Sequence, residues 1–160
     1  MRHVEYDAAV KDFLAQERVA VAGVSREGNA AANVVYRRLR AAGKKVYAVN
    51  PNADRVEDDP CYPDLAALPE PVDGVVIATA PAAGRDLVQQ CVDRQIPRVW
   101  FHRSFGTGST SEAAAALGKA KGLRVISGGC PLMHCEPVDL AHRCMRWVLD
   151  HTGGLPDSCR

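Results

Sequence analysis

The sequence predicts an α/β fold, a doubly wound parallel sheet of five strands with helices on both faces. Five short apolar runs each stop at a glycine, a proline or a polar turn, as strands buried on both faces of a parallel sheet do. Between them lie segments whose apolar residues fall three and four apart, the period of an amphipathic helix. Strands that alternate with helices pair in parallel through right-handed crossovers, so the expected architecture is Rossmann-like with strand order 3-2-1-4-5.

The elements follow in order. A helical pattern opens the chain over 6–16, and Val19-Ala20-Val21-Ala22-Gly23-Val24 is the first strand. A helix over 33–42 follows, with Val34, Val35 and Leu39 on its apolar face, and Gly43 stands where a helix C-terminus calls for a left-handed residue. Lys45-Val46-Tyr47-Ala48-Val49 is the second strand and stops at Asn50-Pro51. The acidic run Glu57-Asp58-Asp59 reads as a solvated loop, and a short helical turn is expected over 64–68 before Pro69. Gly74-Val75-Val76-Ile77-Ala78-Thr79 is the third strand, followed by a helix over 82–94 that presents Leu87, Val88 and Cys91. Arg98-Val99-Trp100-Phe101 is the fourth and stops at His102; a helix over 111–121 ends at Gly122. Leu123-Arg124-Val125-Ile126 is the fifth and runs into Ser127-Gly128-Gly129. The closing helix, over 138–151, sets Leu140, Ala141, Cys144, Met145 and Val148 on one broad apolar stripe.

A chain of 160 residues has the size of one domain, expected over 1–160. Lys and Arg number 20 against 19 Asp and Glu, so no global field steers the protein to nucleic acid or an anionic membrane; an anionic ligand must be held by local groups. Arg2, Glu5, Asp7, Lys11 and Asp12 interrupt any signal-like start, and no later stretch reaches the roughly 18 apolar residues of a membrane span. A cytoplasmic location is expected, with the six cysteines reduced.

In such sheets ligands bind beyond the carboxyl ends of the strands. The turn at 23–29 leads from the first strand into the first crossover helix, where free amides and the helix dipole favour a phosphate; Ser25 adds a hydroxyl, and Arg26 a charge for a second phosphate. The turn is not G-x-G-x-x-G, and the second strand ends in Asn50-Pro51-Asn52 where a nicotinamide dinucleotide site usually places Asp or Glu, which disfavours NAD. No P-loop motif is present. A strand-to-helix connection that needs a glycine only for close packing explains the turn equally well.

Taken together, Gly23-Val24-Ser25, Val49-Asn50-Pro51, Cys61-Tyr62-Pro63-Asp64-Leu65 with Leu68-Pro69 and Pro71-Val72-Asp73, Val99-Trp100, and Cys130-Pro131 resemble the stand-alone CoA-binding domain proteins, which are similar to the nucleotide-binding domain of the succinyl-CoA synthetase α subunit. The resemblance runs from residue 14 to residue 137. It implies coenzyme A or an acyl-CoA across the strand ends. The diphosphate would lie at the first turn near Val24, Ser25 and Arg26, with Gly23 and Asn29 of that turn also counted as cofactor-binding, the adenosine beside Asn50, Pro51, Asn52 and the Thr79-Ala80-Pro81 turn, and the pantetheine arm toward His102 and Cys130. Some members carry a Lys after the Asn-Pro pair; here Ala53 follows Asn52, which leaves Arg55 or Arg26 as substitutes. The synthetase's phosphohistidine segment lies in a further domain, so the resemblance implies binding without a catalytic centre.

Two alternatives stay open. Cys130 near glycine amides, with His102 or His134, suits a thiol-dependent acyl-CoA or redox enzyme. Trp147 and the closing helix suit a nucleotide-responsive interaction module, with a homo-oligomer as its form. The set Cys130, His134, Cys135, His142 and Cys144 contains zinc-type donors but no recognisable four-ligand spacing, so no metal is expected, and Cys135 and Cys144 read as small buried hydrophobes. Among His3, His102, His134, His142 and His151 none has a nucleophile motif beside it.

Overall fold

The computed structural model describes residues 4–156, so His3 and Cys159 lie outside it. Its elements are α1 (Val4–Leu14), β1 (Arg18–Ala22), α2 (Ala31–Ala41), β2 (Lys45–Val49), β3 (Arg55–Val56), β4 (Asp59–Tyr62), β5 (Gly74–Ile77), α3 (Gly84–Asp93), β6 (Arg98–Phe101), α4 (Glu112–Ala120), β7 (Arg124–Ser127) and α5 (Leu140–Thr152). The sheet runs β3-β4-β2-β1-β5-β6-β7, and every pairing is parallel except that of β3 with β4.

Alternation along the strands builds two cores. Val19 and Val21 point with Val76, Trp100 and Ile126 to one face, where Tyr6, Val10 and Phe13 of α1 and Val35, Tyr36 and Leu39 of α2 cover them. Ala20 and Ala22 point with Val75, Ile77 and Phe101 to the other, under Leu87, Val88 and Cys91 of α3 and Ala114 of α4. Trp100 anchors the first core: its ring meets Phe13 edge-on at 5.4 Å and its Nε1 donates to the Gly128 carbonyl at 2.9 Å. Gly43 and Gly122 take the left-handed conformation expected after α2 and α4.

Three sequence expectations are corrected. The sheet has seven strands and is mixed, and the third predicted strand, now β5, does not flank β2; it pairs with β1 on the opposite side, Val19 opposite Gly74. The place beside β2 belongs to β4, which pairs through Ala48 with Cys61 and Val49 with Tyr62. Counted with β4 as the third strand, the series β4-β2-β1-β5-β6-β7 keeps a doubly wound order; the missed hairpin displaced the numbering. Second, residues 64–68 form bends and a turn rather than a helix. Third, the stripe on α5 faces outward. Leu140, Ala141, Cys144 and Val148 are exposed, and so is Trp147, because the helix docks through Leu149 and partly buried Met145.

The acidic run is not simply a solvated loop. Glu57 and Asp58 form the left-handed tip of the β3–β4 hairpin, with φ of +52° and +64°. The Asp59 carboxylate accepts from the Tyr36 hydroxyl at 2.7 Å and pairs with Arg40. Burial, then that carboxylate, raises the Tyr36 phenol well above its ordinary range, so it stays a donor.

Candidate functional site

Strands β1, β2, β4 and β5 end beneath one open cleft of about 610 Å³. Gly23, Val49 and Ala78 form its floor, Asn50-Pro51-Asn52 and Pro63-Asp64 one wall, and Thr79-Ala80 with the first turns of α3 the other. Crossovers leave β1 and β5 toward opposite faces, so this is the switch point at which doubly wound sheets open a crevice.

Gly23 makes the floor possible. Its φ is +101°, and a Cβ built there would stand 2.4 Å from the Ala78 carbonyl oxygen, so no side chain fits between β1 and the end of β5. The chain then turns at 24–29 into α2, and two asparagines hold that turn. Asn33 is fully buried; its Oδ1 accepts from the Ser25 amide at 2.8 Å, and its Nδ2 donates to the Ser25 carbonyl at 2.7 Å and to Glu57 Oε1 at 2.6 Å. Arg37 reaches the same Glu57 oxygen at 2.6 Å and the Gly28 carbonyl at 3.0 Å. The Asn50 Nδ2 donates to the Val24 carbonyl at 2.9 Å, while its Oδ1 accepts from the Asn52 amide at 2.8 Å. The hairpin tip, the start of α2 and the end of β2 thus fix one loop.

Gly23, Asn50, Pro51, Asn52, Thr79 and Ala80 come together in the cleft lining. Ser25, Arg26 and Asn29 lie on the adjacent turn, where the Ser25 Oγ accepts from the Glu27 amide at 3.1 Å, Arg26 and Asn29 are exposed, and Val24 points into the core. Pro81 opens a short 3-10 turn that leads into α3. His102 and Cys130 stand beyond the ends of β6 and β7, outside the cleft lining. The loop after β6 folds back on itself there: the Ser109 amide donates to the His102 carbonyl at 2.9 Å, and Arg103 Nη2 donates to the Gly154 carbonyl at 2.8 Å.

Burial decides the electrostatics around β7. It pushes the Cys130 thiol up to about 11, against weaker hydrogen bonding from the Leu132 amide and Ser104, so the thiol is protonated at neutral pH. His102 is pulled below its ordinary range by burial first and by His142 second. His134 falls to about 4, by burial and then by Arg146, and its Nε2 lies 3.1 Å from the Tyr6 hydroxyl. A buried, protonated thiol is the reverse of an activated nucleophile. Cys144, expected to be buried, is exposed, whereas Cys135 is buried, and both are free thiols. Among the described residues, no three His, Cys, Asp or Glu side chains converge as a metal site.

Sequence reasoning missed the acidic border of the cleft. Asp64 follows β4 and, with Asp86 and Gln90 of α3, borders the cleft; among the described residues no Lys, Arg or His lines it. Gln90 ties the two walls together, accepting from the Leu65 amide at 2.9 Å and donating to Asp86 Oδ2 at 2.7 Å. The signal for Asp64 was present in the Cys61-Tyr62-Pro63-Asp64-Leu65 segment, but only its strand shows which cleft it faces.

A family model described as a CoA binding domain matches residues 17–136. Over 90 residues the chain is 33% identical to an ADP-forming acetate–CoA ligase II of Archaeoglobus fulgidus, a match covering 54% of this chain and 13% of the ligase. A hypothetical protein from Pyrococcus horikoshii OT3 superposes with a TM-score of 0.75 at 24% identity, covering 82% of this chain and 91% of that one. The dinucleotide-forming acetyl-coenzyme A synthetase 1 of Ca. Korarchaeum cryptofilum, solved with phosphate and ADP, superposes with a TM-score of 0.62 at 23% identity over 74% of this chain and 27% of the synthetase. At those identities the two structures speak for the fold alone.

Proposed function

The chain belongs to the CoA binding domain family, and from that premise we propose that it binds coenzyme A or an acyl-CoA, as a single domain over residues 1–160, without catalysing a reaction. The observation that carries this is the open cleft at the strand ends, which gathers Gly23, Asn50, Pro51, Asn52, Thr79 and Ala80 around a volume of about 610 Å³, within the usual range for small-molecule sites. In this reading the adenosine part enters the cleft. The diphosphate lies on the turn at Ser25, Arg26 and Asn29 beside the start of α2, where Arg26 supplies the charge and Ala30 leaves the N-cap without a side-chain acceptor. The pantetheine arm leaves along the strand ends toward His102 and Cys130. The curated relative's name states ligation of acetate to CoA, but the matched segment is 13% of that enzyme, so only the binding step is carried over.

Calorimetric titration with CoA, acetyl-CoA, NAD and ATP tests the proposal. Saturable binding of CoA at one site per chain is expected; silence toward CoA with clear binding of NAD overturns it. The exposed Leu140, Trp147 and Val148 on α5 favour a second reading, in which ligand binding is read out by self-association. Light scattering with and without CoA tests that reading, and a concentration-independent monomer in both states removes it. No helix among the described residues is long and apolar enough to cross a membrane.

A further inference from the structure

We infer that the cleft recognises the adenosine end through a free ribose diol and does not require a 3′-phosphate, so that 3′-dephospho-CoA binds as well as CoA. This rests on the adenosine part entering the cleft, as proposed above.

The charge distribution carries the inference. A phosphate on the ribose needs a cation or unpaired amides beside it. Side chains at the end of β2 offer no cation: Asn50 spends one amide hydrogen on Val24 and its carbonyl on Asn52, Pro51 has no donor, Ala53 is buried, and Asn52 brings a single neutral side-chain amide. Arg55 is turned away along the hairpin, donating to the Asp58 carbonyl at 2.6 Å. Arg26, exposed on the first turn, stands where the diphosphate is assigned. What borders the cleft instead is a pair of carboxylates, Asp64 and Asp86. One Asp64 oxygen accepts from the Ala67 amide at 2.8 Å, which orients the group at the wall.

Dinucleotide folds place an acidic residue at the end of the second strand to accept from the ribose hydroxyls. Here that position is Asn50, and the acid comes from the neighbouring strand instead: β4 pairs with β2 in parallel register, and Asp64 follows two residues after its last residue, Tyr62. A carboxylate there accepts a hydrogen bond from a free hydroxyl and repels a phosphate attached to the same ribose carbon. The wall therefore works in favour of the dephosphorylated nucleotide.

Titration of the whole chain with CoA and with 3′-dephospho-CoA, at one fixed ionic strength, tests this. The expected result is two dissociation constants within about fivefold of each other, each ligand displacing the other at one site. Asp64→Asn keeps the acceptor for Ala67 and removes the charge; it should shift preference toward CoA by about threefold or more. Asn52→Lys should do the same by supplying a cation. CoA binding more than fivefold tighter than 3′-dephospho-CoA in the unaltered protein overturns the inference and leaves the proposed function standing. An unchanged ratio in Asp64→Asn overturns the role of that carboxylate. Silence toward both ligands overturns the proposed function and this inference with it.

Discussion

Replacing Asn33 by Leu should separate the scaffold of the site from its surface. Asn33 is fully buried and makes three hydrogen bonds of 2.6–2.8 Å, two to the Ser25 backbone and one to the Glu57 carboxylate. Leu has a similar shape but no polar atom, so the Ser25 amide and carbonyl each lose a bond worth about 1 kcal/mol net. The bond to Glu57 involves a charge and would count for more, yet Arg37 still holds the same oxygen at 2.6 Å, so about 1 kcal/mol is assigned to it. The sum is about 3 kcal/mol. With a urea dependence of about 2 kcal/mol per molar, the unfolding midpoint should fall by about 1.5 M, followed by the fluorescence of buried Trp100. CoA affinity should fall in the same variant, since the turn that carries Arg26 loses its anchor. Arg37→Ala, whose side chain is 47% exposed, should cost under about 1 kcal/mol. An Asn33→Leu midpoint within about 0.5 M of the unaltered protein would show that the turn holds itself, and the account of Asn33 as its clamp would fail.

Three further outcomes are expected. Gly23→Ala should lose about 2–4 kcal/mol or fail to fold, because its Cβ would stand 2.4 Å from the Ala78 oxygen at a φ of +101°; a thermal midpoint equal to that of the unaltered protein refutes the close approach. A thiol reagent at pH 8, followed by peptide mass mapping, should label Cys144 quickly, while Cys61, Cys91, Cys130 and Cys135 react only after denaturation; rapid labelling of Cys130 would revive the thiol chemistry that its burial argues against. His134 titrates near 4 in the fold against an ordinary 6.5, so the unfolded chain binds the extra proton between those values. Its contribution is therefore complete above about pH 6.5 and is lost as pH falls toward 4. His134→Gln should make the acid limb of stability shallower over that window, and an unaltered limb would place the sensitivity elsewhere.

How much of this fold could be read without coordinates depends on where each strand sits. β1, β5 and β6 are covered by helices on both faces, so their residues form continuous apolar runs, and β1 and β5 sit together at the centre of the sheet. β4 is covered less completely and reads Asp59-Pro60-Cys61-Tyr62, a sequence with a proline and a charge that no propensity favours as a strand. Side chains distant in sequence hold it there: Tyr36 and Arg40 on Asp59, and Asn33 and Arg37 on Glu57 at the hairpin tip. The α5 stripe fails in the opposite direction. Its period correctly marks a helix with an apolar face, but periodicity records which residues share a face and not whether anything covers it, and Leu140 is 74% exposed.

The missed strand also changed what the site could be thought to hold. With the 74–79 strand expected beside β2, Asn50 was the residue to test for a ribose contact, and its lack of charge argued against an acid there. Once β4 lies beside β2, the search moves one strand outward and meets Asp64 at the same wall. Asn50 and Ser25, read first as ligand contacts, prove to spend several of their polar groups on the loop that shapes the cleft. Residues with the most suggestive chemistry are therefore partly scaffold, and one of the two carboxylates that set the charge of the cleft, Asp64, comes from a segment that looked like a connection. A binding preference in such a sheet belongs to the spatial neighbours of a strand end, so an error in strand order becomes an error in electrostatics before it becomes one in shape.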